Sequence, residues 1–171
     1  MFKIGVMSDS FKLPIREGIK KAKILGAEGI QCYAVQGEMA PEHLAVDERA
    51  FIRQLCADNG LVISALCGDL GGHGFQIPEE NTIKIPKSKA IVDLAVDLHT
   101  NVVTTHIGVV PDDVESPTYA IMADARGNSP KRDLFTVRGI LDWSPYPFIH
   151  HSRSSIAVDV YRSLTSWCAY T

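Results

Sequence analysis

Two apolar runs that each end in a polar cluster constrain this chain most: residues 61–75 (LVISALCGDLGGHGF) and 102–111 (VVTTHIGVVP). Each is β-branched, too short for a buried helix, and closed by Gly, Asp or His. That is the pattern of a buried parallel strand delivering polar side chains to its C-terminal end. Parallel α/β folds place their chemistry at that end.

The rest of residues 1–125 alternates strand and helix signals with little padding. Residues 2–7 open with a β-rich stretch. Residues 14–25 put Ile15, Ile19 and Ala22 on one helical face against a Lys/Arg/Glu-rich opposite face, and Gly26 ends the helix. Residues 29–35 (GIQCYAV) read as the second strand. Residues 47–58 read as a helix with an acidic first turn and Phe51 and Leu55 four apart, closed by Asn59-Gly60. Residues 61–66 form the third strand, and 87–99 a helix striped by Ala90, Ile91, Leu94, Ala95 and Leu98. Residues 102–107 form the fourth strand, and 117–124 begin a fourth helix. This order predicts parallel βαβ units with right-handed crossovers. Periodicity alone allows half of a βα barrel and a doubly wound open sheet equally.

After about Ala125 the chain changes character. Residues 1–125 carry 11 Lys/Arg against 17 Asp/Glu, a net of −6, whereas 126–171 carry 6 against 3, a net of +3. Residues 126–171 hold seven Ser, five Arg, three Pro and no Glu, and their apolar residues keep neither a period of two nor one of 3.6. Only 134–143 and 156–161 suggest strands. The expectation is an irregular tail, either a flexible extension or a stretch read out of frame; its Trp, Tyr, Phe and Arg content favours the second. The 171 residues suit one core but fall short of an eight-unit barrel, which needs about 250.

The mildly acidic globular part argues against a nucleic-acid surface. Cys32, Cys56, Cys67 and Cys168 show no CxxC spacing, and three lie in apolar segments, so they read as buried thiols of a reducing compartment. The first ten residues lack the apolar length of a signal peptide and no run is long enough for a membrane span, so a cytoplasmic location is expected.

Four residues at strand ends are candidate functional residues: Glu38, Asp69, His73 and His106. His106 ends a fully apolar strand, a position that points into the mouth of a βα barrel and is otherwise a satisfied structural histidine. Gly71-Gly72-His73-Gly74 invites a phosphate-loop reading, but it is not GxGxxG and no Lys-Ser/Thr pair follows. A plain glycine-rich site loop carrying His73 is the better reading. For Asp9, Glu38 and Asp69 a capping role stands level with a functional one. His150-His151 are adjacent, so one metal ion would rarely take both. No Ser/His/Asp order, HExxH or paired-cysteine zinc spacing occurs.

Several long segments, in order and spacing, resemble the sugar phosphate isomerase/epimerase family with the xylose-isomerase-like TIM barrel. They are the opening KIGVMSDSF, GAEGIQCYAVQGEMAPE (26–42), GLVISALCGDLGGHGF (60–75) and IPKSKAIVDLAVDLHTNVVTTHIGVVP (85–111). The resemblance covers roughly the first 120 residues. It implies a (β/α)8 TIM-barrel-type α/β fold, present as a partial barrel of about four βα units over 1–125, with the irregular tail at 126–171. It also implies metal-assisted aldose-ketose isomerisation or epimerisation of a small sugar or sugar phosphate, with a divalent Mn, Mg, Zn or Co ion at the barrel mouth. A base poised beside the carbon and a cation on the enediolate oxygen are what such a proton shift requires. The resemblance further implies Glu38, Asp69, His73 and His106 as substrate contacts.

The family's first metal-binding Glu stands on the fifth strand in an Ile-Glu-Thr-Gly-like motif. The corresponding stretch here reads TVRGILDWSPYP (136–147), and no Glu follows Glu115. No metal ligand and no catalytic residue is therefore assigned to this chain, and weak or absent activity is expected. Two other readings remain: an endonuclease IV-like abasic-site nuclease sharing the barrel, and a non-catalytic half-barrel that assembles as a homo-oligomer.

Overall fold

Four parallel strands run in sequential order, each followed by a helix, with β1 at Gly5–Met7, β2 at Gly29–Tyr33, β3 at Val62–Cys67 and β4 at Val102–His106. The helices are α1 (Ile15–Ile24), α2 (Val46–Asp58), α3 (Pro78–Asp97) and α4 (Pro117–Ala125). The computed structural model describes residues 3–125 and, as backbone only, a fifth strand β5 (Ser155–Asp159).

The order β1-β2-β3-β4 has no reversal, and each helix packs on the next along one side of the sheet. A doubly wound sheet reverses its order and splits its helices between two faces. The two architectures left open by periodicity are thereby separated: the chain is singly wound, as in a barrel.

The core lies between sheet and helices. Ile30 and Cys32 of β2, Ile63 and Leu66 of β3 and Val103 of β4 meet Ile15, Ile19 and Ala22 of α1. Ile52 and Cys56 of α2 and Ile91, Leu94 and Leu98 of α3 complete the same cluster. Burying each large aliphatic side chain contributes about 1.5–3 kcal/mol, and such a stripe recurs in α1, α2 and α3 because each must cover the same sheet face. The opposite face is built differently. Gly5, Gly29 and Ser64 keep it shallow, and Val62 is 58% exposed there.

A bulge interrupts the β2–β3 ladder. Ile30 pairs with Ile63 but Gln31 pairs with Ala65, leaving Ser64 as the extra residue, and its Oγ donates to the Ile30 carbonyl at 2.9 Å. Bulges of this kind re-aim the side chains that follow and are common beside functional sites.

Three boundaries differ from the sequence reading. Helix α3 begins at Pro78, nine residues before the predicted 87–99 helix, and runs through Pro86. Pro78 at the first helical position with Glu79 and Glu80 behind it is a favourable start. Short 3-10 turns at Ser8–Phe11, Gly37–Met39 and Pro41–His43 follow β1 and β2 where no helix was foreseen. The strand suggested at 156–161 is β5, running antiparallel to β4 with His106 opposite Ser155 and Val102 opposite Asp159. The other suggested strand, 134–143, lies outside the described residues, as do the remainder of the 126–171 tail, His150-His151 and Cys168. Among the described residues no helix is long and apolar enough to cross a membrane.

Cys32, Cys56 and Cys67 are free and buried, as expected of core thiols. Burial pushes the Cys32 thiol up to about 11 and the Cys56 thiol up to about 12. In the unfolded chain both ionise near 9. The unfolded state therefore binds fewer protons above that pH, and these two groups make stability fall as pH rises from 9 toward 11. At pH 8, iodoacetamide followed by peptide mapping should modify Cys32 and Cys56 about 100-fold or more slowly in the native protein than in urea.

Candidate functional site

The C-terminal ends of β1–β4 form a rim whose inner side carries polar groups. Gln31 of β2 reaches across β3, its Nε2 donating to Thr104 Oγ1 of β4 at 3.1 Å, so both side chains share the face opposite the helices. By the registers Tyr33↔Cys67 and Cys67↔Thr104, the next inward-facing layer holds the Tyr33 phenol, the Cys67 thiol and Thr104. Cys67 is the direct neighbour of Tyr33 across the β2–β3 ladder. That neighbour, then desolvation and the carboxylates of Asp69 and Asp9, push the phenol above its ordinary range. It stays a protonated hydrogen-bond donor throughout neutral pH. Two residues further along, Asp69 and His106 stand at the adjacent ends of β3 and β4, both half-buried.

Each acid at a strand end holds a backbone amide. Asp9 Oδ2 accepts from Tyr33 N at 2.9 Å and from Ser8 Oγ at 3.1 Å. Glu38 Oε1 accepts from the amide of Ile15, the first residue of α1, placing a carboxylate against the positive end of that helix. Asp69 Oδ1 accepts from Gly71 N at 2.8 Å and so turns the chain into the glycine loop. The capping reading of the three acids is thus occupied by a bond in every case. Asp69 and His106 stand at the ends of adjacent strands, and Glu38 is tied to the start of α1.

The loop 69–75 is pressed against the segment after β4. Phe75 N donates to the Ile107 carbonyl at 3.1 Å, and Gln76 Nε2 to the Val109 carbonyl at 2.8 Å. Gly74 (φ 61°) sits so close to Gly108 N and the Ile107 carbonyl that a Cβ there would overlap both. Gly108 (φ 93°) would in turn drive a Cβ into the His73 carbonyl. His73 is exposed in this loop, and its carbonyl lies against Gly108, two residues beyond the end of β4.

From the other side, the Lys84 ammonium of α3 donates to the Gly71 carbonyl at 3.0 Å, the Gly74 carbonyl at 2.8 Å and Glu80 Oε2 at 2.6 Å. The Lys84 side chain is only 12% exposed. Carbonyl oxygens converging on a cation are the reverse of amides converging on an anion. The glycine loop is therefore no phosphate cradle, and the ammonium has no donor left for one. Asn81 Nδ2 donates to the Phe75 carbonyl at 3.0 Å, adding a second tie from α3.

Among the described residues no three His, Cys, Asp or Glu side chains are grouped so as to hold a metal ion. The donor chemistry agrees, since Asp9, Glu38 and Asp69 each hold a backbone amide, of Tyr33, Ile15 and Gly71 respectively, and stand on separate segments. These residues do not fit the divalent ion that the sequence resemblance implies, and no step is derived through one.

Fold and rim together define a class: a singly wound α/β segment of barrel type whose polar groups collect at the C-terminal ends of its strands. No family model and no curated protein matches the sequence. Among solved structures, the chain is similar to a xylose isomerase domain protein from Planctomyces limnophilus, with a TM-score of 0.60 and 20% identity, covering 72% of this chain and 47% of that one. It is also similar to a D-psicose 3-epimerase crystallised in the presence of D-fructose, with a TM-score of 0.55 and 16% identity, covering 73% and 46%. The fold is accordingly that of part of a xylose-isomerase-like TIM barrel, as the resemblance in the sequence implied. The chain spans about half the length of these two structures.

Sequence reasoning missed Gln31, Tyr33, Thr104 and Lys84. The first three follow from strand register, which fixes who faces whom across three strands. Lys84 carried only a weak signal, a Lys four residues after Glu80.

The glycine contacts differ sharply in what they tolerate. Gly74→Ala should lose about 3 kcal/mol or more by urea unfolding, whereas Gly71→Ala, which meets open space, should lose about 1–2 kcal/mol from its left-handed backbone alone. Glu38→Ala should lose about 1 kcal/mol through α1 while leaving the sheet signals unchanged.

Proposed function

We propose that this chain forms the N-terminal, substrate-side wall of a sugar isomerase or epimerase barrel acting on a small ketose, aldose or their phosphates. The observation that carries this reading is the inner-face layer of Gln31, Tyr33, Thr104 and His106 at the C-terminal ends of parallel strands. Hydroxyl-rich ligands need neutral donors and acceptors held at fixed spacing, and this layer offers an amide, a phenol, a hydroxyl and an imidazole. The likeness to a protein described as a D-psicose 3-epimerase supports the substrate class.

In this reading the chain's own residues bind and orient. Gln31 and Thr104 hold each other and present their remaining polar atoms to the ligand. Tyr33, kept protonated, donates to a sugar hydroxyl. His106 and, from the loop tip, His73 contact the far side of the ligand, and Asp69 accepts a hydroxyl through its second oxygen. The proton transfer itself, and any divalent Mn, Mg, Zn or Co ion, belong to residues of a complete barrel beyond these four units. A chain of this kind is expected to be inactive alone and to associate through its open strands, with no membrane or nucleic-acid partner.

Titration of the isotope-labelled protein with D-fructose and D-psicose should shift the signals of Gln31, Tyr33, Thr104 and His106 at millimolar concentration, and His106→Ala should weaken binding about tenfold. Shifts scattered over α1 and α2 with the rim silent would remove the reading. Ketose turnover by the purified chain, dependent on added metal, would overturn the expected inactivity. Strongly salt-dependent DNA binding would favour the nuclease instead.

A further inference from the structure

We propose that Lys84 is the positioning residue of the 69–75 loop, an internal cation that sets where His73 stands at the rim. The inference rests on the reading of that rim as the sugar-binding wall and adds to it the element that shapes it. Three left-handed glycines, at Gly71 (φ 71°), Gly72 (φ 64°) and Gly74 (φ 61°), give this loop more backbone freedom than any other connection described here. A loop so built samples many conformations unless something over-determines one.

Ties from two opposite sides do so, with Asn81 adding to the α3 side through the Phe75 carbonyl. The β4 side contributes the close approach of Gly74 to Gly108 and the Phe75–Ile107 hydrogen bond. The α3 side contributes Lys84, which binds the carbonyls on both flanks of His73, Gly71 at 3.0 Å and Gly74 at 2.8 Å. Bridging residues 71 and 74 with one ammonium closes a ring around His73, so that the histidine can project only at the tip. Glu80 fixes the ammonium in turn through the favourable Glu-to-Lys spacing of four. Lys84 also holds the Glu80 carboxyl below its ordinary range, by hydrogen bond first and by charge.

An ordinary surface lysine would not be held this way, because immobilising its long side chain is entropically costly and a single exposed ion pair rarely compensates. A cation with three oxygen partners and little solvent contact is instead the geometry of an ion bound in a carbonyl cage. The ammonium does here what a bound monovalent cation does elsewhere.

The test uses the full chain and reads the loop without any sugar present. In Lys84→Met, which keeps the apolar stem, the Gly71, Phe75 and Gln76 amides should exchange about 10- to 100-fold faster, while Ile30 and Leu66 are unchanged. The His73 ring signals should shift and broaden. In Lys84→Ala, n-propylammonium chloride should restore protection and His73 line shape, and sodium chloride should not. Should either variant fail to fold, Glu80→Gln loosens one of the three ammonium contacts and should give a smaller change in the same signals. Unaltered exchange and an unaltered His73 spectrum in the folded variants would overturn the proposal, as would a loosened loop that propylammonium does not repair. If the loop responds as described but the wild-type rim ignores ketoses, the positioning role stands and the sugar-binding reading falls.

Discussion

The seam between β3 and β4 depends on backbone meeting backbone where neither strand has a side chain. The ladder itself is short, with Leu66 opposite Val103 and Cys67 opposite Thr104, extended by Gly68 N on the Thr104 carbonyl at 2.7 Å. Beyond it the chain turns away, and Gly74 and Gly108 allow the two main chains to touch again, beside the Thr105 hydroxyl's bond to the Gly68 carbonyl at 3.2 Å. That contact fixes the Phe75 and Gln76 hydrogen bonds, hence the direction in which the chain reaches Pro78 and the start of α3. The main chain that carries His73 is thereby held on its β4 side by two glycines.

The sheet is chemically two-sided. Its helix side is aliphatic and thiol-rich, with Ile30, Cys32, Leu66 and Val103 held against three helices. Its inner side is spare near the strand starts, where Gly5, Gly29 and Ser64 stand, and polar near the ends. Carboxylates at the rim serve the backbone: Asp9, Glu38 and Asp69 each fix an amide, so the groups best placed to meet a ligand are neutral.

Much of the fold was legible because parallel βαβ units write their two periods plainly. The 14–25, 47–58 and 117–124 helices and all four strands fall within a few residues of α1, α2, α4 and β1–β4. Helix α3 is longer than the apolar stripe over 87–99 shows, since it starts at Pro78 and runs through Pro86, where a proline ordinarily breaks a helix. The site was less legible. His106 and Asp69 announced themselves as polar ends of apolar runs, yet Gln31, Tyr33 and Thr104 sit inside strands and become neighbours only through register and the Ser64 bulge. Local patterns encode which residues end a strand; they do not encode which residues two strands apart will touch.

The antiparallel pairing of β5 along the whole of β4 has a topological meaning. A sheet strand offers hydrogen bonds on two edges, and one edge of β4 already belongs to β3. Any further parallel strand that would carry the winding onward must use the donors and acceptors that β5 holds. Onward parallel winding from β4 and its pairing with β5 are therefore mutually exclusive uses of one edge.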